Sequence, residues 1–377
     1  VNGDEPEREP VDDGVDGRQH GDQSGDEWIG RREHEPQLPR ESHHLGPRGT
    51  VSMKVAHWSL LNGSGMHRVA ETLSGAERAA GVDSSLVNLV DPAAWEAVVD
   101  AEVHVCHTHI PDEFLARLPK APKLVYVGHG TPEHVYQSAV EEGARGGYGH
   151  ADGWMLLQRW LQVADARVTF WPRHQAIYQS LCDRGSLVDC LPMGVDTAFW
   201  AGGTSKGKYA GAPSVWTGEN QHYIKWILDL ILAWPWVLQA VPAAKLHAVY
   251  LPKDQHRWLF PLANRNGAAY GAYLSPLVFS HEQLRDILKS VDFFVGLVRY
   301  GDHNHLSLQA ACAGVPTISY VGNPYADYWL PEGDQRTLAT ELVKVLRGEV
   351  TPRAKSPVPH IGEMTEAMVA IYKRILA

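Results

Sequence analysis

From residue 53 onward the chain alternates short apolar runs with stretches of helical spacing, and this alternation limits the fold more than any other feature. Residues 53–58 read as a strand. The loop 60–65 follows, and then a helix near 66–80. Further strands are predicted at 85–90, 103–109, 124–127, 167–170 and 188–191, with helices at 154–163 and 175–182. A Gly-rich stretch, 197–212, reads as a linker, and the alternation then restarts. Strands are predicted at 214–217, 245–250, 273–279, 293–295 and 317–320. Helices are predicted at 225–237, at 280–290 with Ser280 and Gln283 at capping-box spacing, at 306–313, at 337–347 and at 363–376. Apolar strands separated by helices call for a parallel sheet covered on both faces. The fold class is therefore α/β, with two doubly wound Rossmann-like domains facing a central cleft. Ligands in such sheets bind beyond the carboxyl ends of the strands, so the cleft is the expected site.

Length and charge agree with two domains. The chain has 377 residues, 44% of them apolar, enough to bury a substantial core. Its net charge of −10 argues against non-specific attraction to nucleic acid or an anionic membrane. Residues 1–52 hold 13 Asp and Glu against 6 Arg and no Lys, so most of that charge lies there. The segment has no apolar period and is expected to be disordered. It reads as an acidic tail or, preferably, as sequence upstream of a natural start at Met53. No apolar run suits a membrane span, and no leader pattern is visible. Four scattered cysteines read as buried thiols of a reducing compartment. A cytoplasmic protein is expected, with peripheral membrane association left open. The 13 Trp read mostly as core.

Several residues suit an anionic ligand. Gly63 and Gly65 sit between the first strand and its helix, where backbone N–H groups gather at a helix N-terminus. Lys225 stands at a helix start, a place the macrodipole disfavours for a cation unless an anion binds. The loop from Arg299 runs through Asp302, His303, Asn304, His305 and Leu306 to Ser307 and leads into a helix. Its N–H groups could hold a phosphate, while Asp302, Asn304 and Ser307 are also residue types that cap helices. His129 ends a buried strand on the cleft side.

The order of landmarks resembles the GT-B glycosyltransferases, and specifically the retaining glycosyltransferase family 4 (glycosyl transferases group 1). The likeness covers nearly all of 53–377. Gly63-Ser-Gly-Met-His-Arg68 is similar to the family's Gly-Gly-x-Glu-Arg opening, and Val105-Cys-His-Thr-His109 to its Val-His-x-His strand. Val127-Gly-His-Gly130 resembles its Val-His-Gly strand end, and Leu191-Pro-Met-Gly-Val-Asp196 its Ile-Pro-Asn-Gly-Val-Asp. Gln309-Ala-Ala-Cys-Ala-Gly-Val-Pro316 resembles Glu-Ala-x-Ala-x-Gly-x-Pro. Gly218 to Lys225 falls where the family has Gly-Arg and a downstream Lys.

The resemblance implies a retaining, metal-independent transfer of a sugar from a nucleotide-diphosphate donor, with a UDP-sugar the commonest case and no cofactor. It implies an acceptor domain at 53–196, a linker at 197–212, a donor domain at 213–360 and a terminal helix, 361–377, that packs back on the first domain. Catalytic roles fall on His129 and Lys225. Donor contacts fall on Gly63, Gly65, Gly218, Glu219, Asp302, His303, Asn304, His305, Leu306, Ser307 and Gln309. His107 and His109 read as strand-end or supporting residues. The acceptor is open: a saccharide, a lipid, a small molecule or a modified nucleic acid. Three departures point the other way. Glu219 replaces an Arg, Gly301 a first Glu and Gln309 a second. They motivate the alternatives of a catalytically impaired GT-B binding or scaffold protein, or another GT-B enzyme such as a nucleotide-sugar epimerase.

Overall fold

The computed structural model describes residues 53–60, 65–108, 110–118, 120–129, 151–182, 186–205, 213–218, 227–248, 262, 265–267, 269–270, 279–298 and 303–377. Where they fall on described residues, the expected elements are present with small shifts at the ends. In chain order they are β1 (Lys54–Ser59), α1 (Gly65–Ala79), β2 (Asp83–Asn88), α2 (Pro92–Trp95), β3 (Val103–Cys106), α3 (Asp112–Leu115) and β4 (Lys123–Gly128). Next come α4 (Ala151–Val163), β5 (Ala166–Thr169), α5 (Pro172–Leu181), β6 (Val188–Cys190) and α6 (Thr197–Ala201). The second set is β7 (Ser214–Thr217), α7 (Ile227–Ala240), β8 (Lys245–Ala248), β9 (Ala269–Tyr270), α8 (His281–Leu288), β10 (Phe293–Gly296) and α9 (His305–Cys312). It closes with β11 (Thr317–Tyr320), β12 (Tyr328–Leu330), α10 (Gln335–Leu346) and α11 (Ile361–Leu376).

The strands form two six-stranded parallel sheets, ordered β2-β1-β3-β4-β5-β6 and β12-β11-β10-β7-β8-β9. In each sheet the strand order reverses once, between β1 and β3 and between β7 and β10. That reversal opens a crevice beyond the strand ends. The central strands β3, β5, β7 and β11 are buried at every position, as helices on both faces require. Trp58, Trp160, Trp216 and Trp234 are among the largest fully buried side chains, which accounts for part of the tryptophan content by packing.

Local chemistry fixes the element ends. Ser280 accepts from the Gln283 N–H while the Gln283 side chain accepts from the Ser280 N–H, completing the expected capping box. Pro172 starts α5, where its missing N–H costs nothing. Gly314, at φ +77°, ends α9 in the left-handed region.

Some elements differ from the sequence reading, among them the short helices α2 and α3, which it did not foresee. The start of the linker stretch is helical, because Asp196 caps α6 by accepting from the Phe199 N–H. The short strands β9 and β12 were not foreseen. They have two and three residues, too few to show a period. The strand expected at 273–279 falls almost entirely outside the described residues.

Helix α11 lies against α1. The Tyr372 hydroxyl donates to Glu77 Oε1 at 2.8 Å. The returning chain pairs at Val195 and His360, and it passes so close to Gly194 that a Cβ there would lie 2.8 Å from the His360 carbonyl oxygen. Any side chain at 194 would force this crossing apart.

Candidate active site

The crevice of the first sheet is built by parity. His57 on β1 pairs with Val105 on β3, and Val105 pairs with Val125 on β4. Side chains alternate along a strand, so His57, His107 and His129 fall on one face, each nearer the carboxyl edge than the last. Helix α1 covers that face with Val69, Leu73 and Glu77, spaced four apart. Glu77 therefore occupies a core position of the stripe and is fully buried.

These four side chains touch in series. Glu77 Oε2 lies 2.7 Å from His57 Nε2. His57 Nδ1 lies 2.9 Å from His107 Nε2, and His107 Nδ1 lies 2.7 Å from His129 Nε2. Glu77 also accepts from Ser84 Oγ at 2.7 Å and from the Tyr372 hydroxyl. Burial pushes the Glu77 carboxyl up, but His57, Ser84 and Tyr372 together hold it below the usual carboxylate range. Burial drives His107 well below an ordinary imidazole, with His129 and His57 adding to the effect. Burial, and then the neighbouring His305, pushes His129 down to about 3. His107 and His129 are therefore neutral at neutral pH.

The second sheet brings the start of α9 to the same place. The Trp171 indole, just past β5, donates to the His303 carbonyl at 3.0 Å. The His303 ring lies edge-on to Tyr325 at 4.8 Å and tilted against Trp171 at 5.8 Å. Burial and then His174 push His303 down to about 3; burial foremost pushes His305 down to about 4. Arg68 on α1 donates to the Phe279 carbonyl at 3.3 Å, a further link between the two sequence halves.

The sequence-predicted site residues separate into distinct situations. His129, His303, His305 and Gln309 come together at this crossing. Gln309 is buried, and its amide nitrogen lies 3.2 Å from His305 Nδ1, one helical turn away. Asn304 caps α9: its side-chain oxygen accepts from the Ser307 N–H at 2.7 Å and from Ser307 Oγ at 3.0 Å. The capping expected of these residue types is thus present. Leu306 packs over Gly218 at the end of β7, where a Cβ would lie 2.7 Å from Leu306 Cδ2 and 2.8 Å from the Trp216 ring. Gly65 is the first residue of α1. Gly63, Glu219, Lys225 and Asp302 lie outside the described residues, as does His109.

Glu77 and His57 were missed by the sequence reading, and His107 was read only as a supporting residue. One signal was present: a glutamate stands where the α1 stripe calls for an apolar residue. Among the described residues, no three His, Cys, Asp or Glu side chains converge so as to hold a metal ion. No described helix is long and apolar enough to cross a membrane.

No protein-family model matches the chain, and no curated protein matches it. Solved structures do. Sucrose-phosphate synthase from Thermosynechococcus elongatus superposes with a TM-score of 0.60 at 14% identity, over 86% of this chain and 99% of that one. HepE of Anabaena in complex with UDP-glucose gives 0.55 at 12%, over 86% and 98%. An alpha-glucosyltransferase in complex with UDP gives 0.55 at 11%, over 85% and 100%. With two parallel sheets wound in the same way along the whole length of these transferases, the chain from residue 53 onward has the GT-B glycosyltransferase fold.

Proposed function

We propose that the protein is a glycosyltransferase that moves a sugar from a nucleotide-diphosphate sugar, most simply a UDP-sugar, to an acceptor with retention and without a metal. The observation that carries this reading is the meeting of neutral His129, beyond β4, with the buried start of α9 in a GT-B fold. A neutral imidazole at a sheet's carboxyl edge suits hydrogen bonding to a sugar hydroxyl. The start of α9 offers backbone N–H groups toward a phosphate. In this reading 53–196 takes the acceptor and 213–360 the donor. The helix 361–377 then ties the second domain to the first.

Charge grows on the departing nucleoside diphosphate, so a fixed cation lowers the barrier, and Lys225 is assigned that role. Gly218 with Leu306 would shape the wall beneath the donor. The assignment to glycosyltransferase family 4 and to retention rests on the motif resemblance, and a cytoplasmic location on the four scattered cysteines.

The test is a panel of UDP-, GDP- and ADP-sugars scored by thermal stabilisation. A ligand at 100 times its dissociation constant adds roughly 2.7 kcal/mol. Turnover should survive chelation of divalent metals, disappear in Lys225→Ala with the fold intact, and give a product with the donor's anomeric configuration by NMR. Absence of binding by every nucleotide sugar would overturn the reading.

A catalytically impaired GT-B binding protein is the second reading. It is favoured by Gln309, whose amide is already engaged with His305 where the family has a carboxylate. Nucleotide binding without turnover for any acceptor would select it. Release of a free epimerised sugar nucleotide would instead select an epimerase.

A further inference from the structure

The series Glu77–His57–His107–His129 is polarised by its buried end. Glu77 accepts from Ser84 and Tyr372 and stays ionised, so the proton between it and His57 sits on His57 Nε2. With that single proton on His57, its Nδ1 is bare and can only accept. His107 must donate to it from Nε2, which leaves His107 Nδ1 bare. His129 must in turn donate from Nε2 to His107 Nδ1. Each link fixes the next, and His129 is left with an unprotonated Nδ1 that has no hydrogen-bond partner among the described residues.

We infer that Glu77, His57 and His107 are positioning residues that hold His129 in its Nε2–H tautomer, present Nδ1 as an acceptor to a substrate hydroxyl, and relay a proton inward when one arrives there. This deepens the glycosyl-transfer reading and rests on it. The relay balances. A proton binding His129 Nδ1 is matched by passage of the Nε2 proton to His107 Nδ1 and of the His107 Nε2 proton to His57 Nδ1. One proton enters, the two His–His hydrogen bonds reverse direction while His57 Nε2–H keeps donating to Glu77, and the positive charge ends on His57 against the Glu77 carboxylate. The return of the proton resets the series.

The groups facing the series from other elements are Ser84 on β2, Tyr372 on α11, Phe170 beyond β5 and His305 on α9. Arg78 is held by Ser74 Oγ and by the Ser84 carbonyl rather than by Glu77. The Glu77 carboxylate is thus the group placed to receive the charge.

The decisive variant is Glu77→Gln, which keeps shape but removes the charge. Its amide can accept from or donate to His57, so the direction of the series is no longer fixed. The full chain, labelled with 15N-histidine, reports the tautomers by long-range 1H–15N correlation at pH 7.5. Wild type should show protonated Nε2 and bare Nδ1 at positions 57, 107 and 129, and Glu77→Gln should show mixed tautomers. Turnover (kcat) should fall about tenfold or more, while donor affinity stays within about twofold. His107→Gln serves if Glu77→Gln does not fold. It should free the His129 tautomer while leaving His57 fixed by Glu77. A wild-type His129 protonated on Nδ1, or an unchanged His129 tautomer in both variants, overturns the inference. Unchanged kcat in a variant whose His129 tautomer is mixed overturns the role in turnover. Failure of every nucleotide sugar to bind wild type would sink the glycosyl-transfer reading alone, because the tautomer measurement needs no substrate.

Discussion

Each sheet of this molecule buries a carboxylate on the helix that follows its first strand, and the two are wired differently. In the first sheet Glu77 on α1 accepts from His57, Ser84 and Tyr372. In the second, Asp229 on α7 accepts from the Tyr320 hydroxyl at 3.1 Å and the Gln335 amide at 3.1 Å. Both acids fasten distant segments: Tyr372 comes from the terminal helix, Tyr320 from β11 and Gln335 from α10. The Glu77 network leads through imidazoles, rings that can both accept and donate a hydrogen bond, to the carboxyl edge of the sheet at His129. A tyrosine hydroxyl and an amide can tie α7 in place but do not carry charge readily near neutral pH. The same device thus serves structure in one half and, through His57 and His107, reaches the site in the other.

The sharpest way to break the comparison is to remove each acid. Glu77→Ala leaves the His57, Ser84 and Tyr372 donors buried without an acceptor, and should cost about 3–5 kcal/mol in denaturant unfolding. Asp229→Ala removes the acceptor of the Tyr320 hydroxyl and the Gln335 amide, and should cost about 2–3 kcal/mol. Equal losses would mean that the imidazole neighbour adds nothing to the demand for a charge at 77.

Acid is the next test, and it acts on buried histidines of both halves. His104, held down to about 4 by burial, together with His107 and His129, belongs to the first sheet. Their folded pKa values lie below the ordinary 6.5, so the unfolded chain binds more protons below that pH. Stability is therefore full above about pH 7 and is lost as pH falls from 6.5 toward the folded values; ionised Glu77 adds further loss below its unfolded value of 4.5. Between pH 7 and pH 5 the Tm should drop by about 5 °C or more. Hydrogen exchange at pH 5 should release the amides of β3, β4 and the start of α9, where His303 and His305 are held down to about 3 and about 4, before those of β11. Simultaneous release would show that the two sheets share one acid-sensitive unit.

How much of this was legible in the sequence follows from range. The strands β3, β5, β7 and β11 announced themselves because a parallel sheet needs continuous apolar runs, and Ser280 with Gln283 announced a helix start three residues apart. The Glu77 series did not, because it depends on the register of three strands and on Tyr372, 295 positions away. Glu77 by itself broke the Val69–Leu73 stripe, a local irregularity whose meaning appears only when His57 stands opposite. His129 was singled out by its place at a strand end, but what fixes its tautomer was not. Asn304 and Ser307 were legible locally: both are residue types that cap helices, and the Asn304 side chain accepts from the Ser307 N–H and hydroxyl.

A smaller effect tests the wall of the crevice rather than its wiring. Gly218→Ala places a methyl 2.7 Å from Leu306 Cδ2 and 2.8 Å from Trp216, so the Leu306 side chain and the buried Trp216 ring must give way. Overpacking of this kind costs about 1–3 kcal/mol. Gly65 opens the first helix with nothing within 4 Å of its would-be Cβ, so Gly65→Ala should be near neutral in thermal unfolding. If both substitutions proved equally mild, close packing at the second sheet's edge would not be what demands glycine at 218.

The finest comparison uses the two tyrosines. Tyr372→Phe and Tyr320→Phe each delete one hydroxyl that donates to a buried acid, at 2.8 and 3.1 Å. Neither removes the acid's other partners, so the losses should be modest, about 1–2 kcal/mol, and larger at 372, where the acceptor must stay charged. The variants should also part in function. With one donor fewer, the Glu77 carboxylate becomes easier to protonate, so Tyr372→Phe should shift the acid limb of the rate profile to higher pH. Tyr320→Phe should leave that limb unmoved. The pair therefore separates what an acid does for packing from what it does for protons: stability alone cannot distinguish Glu77 from Asp229, whereas a pH profile measured on two conservative hydroxyl deletions can.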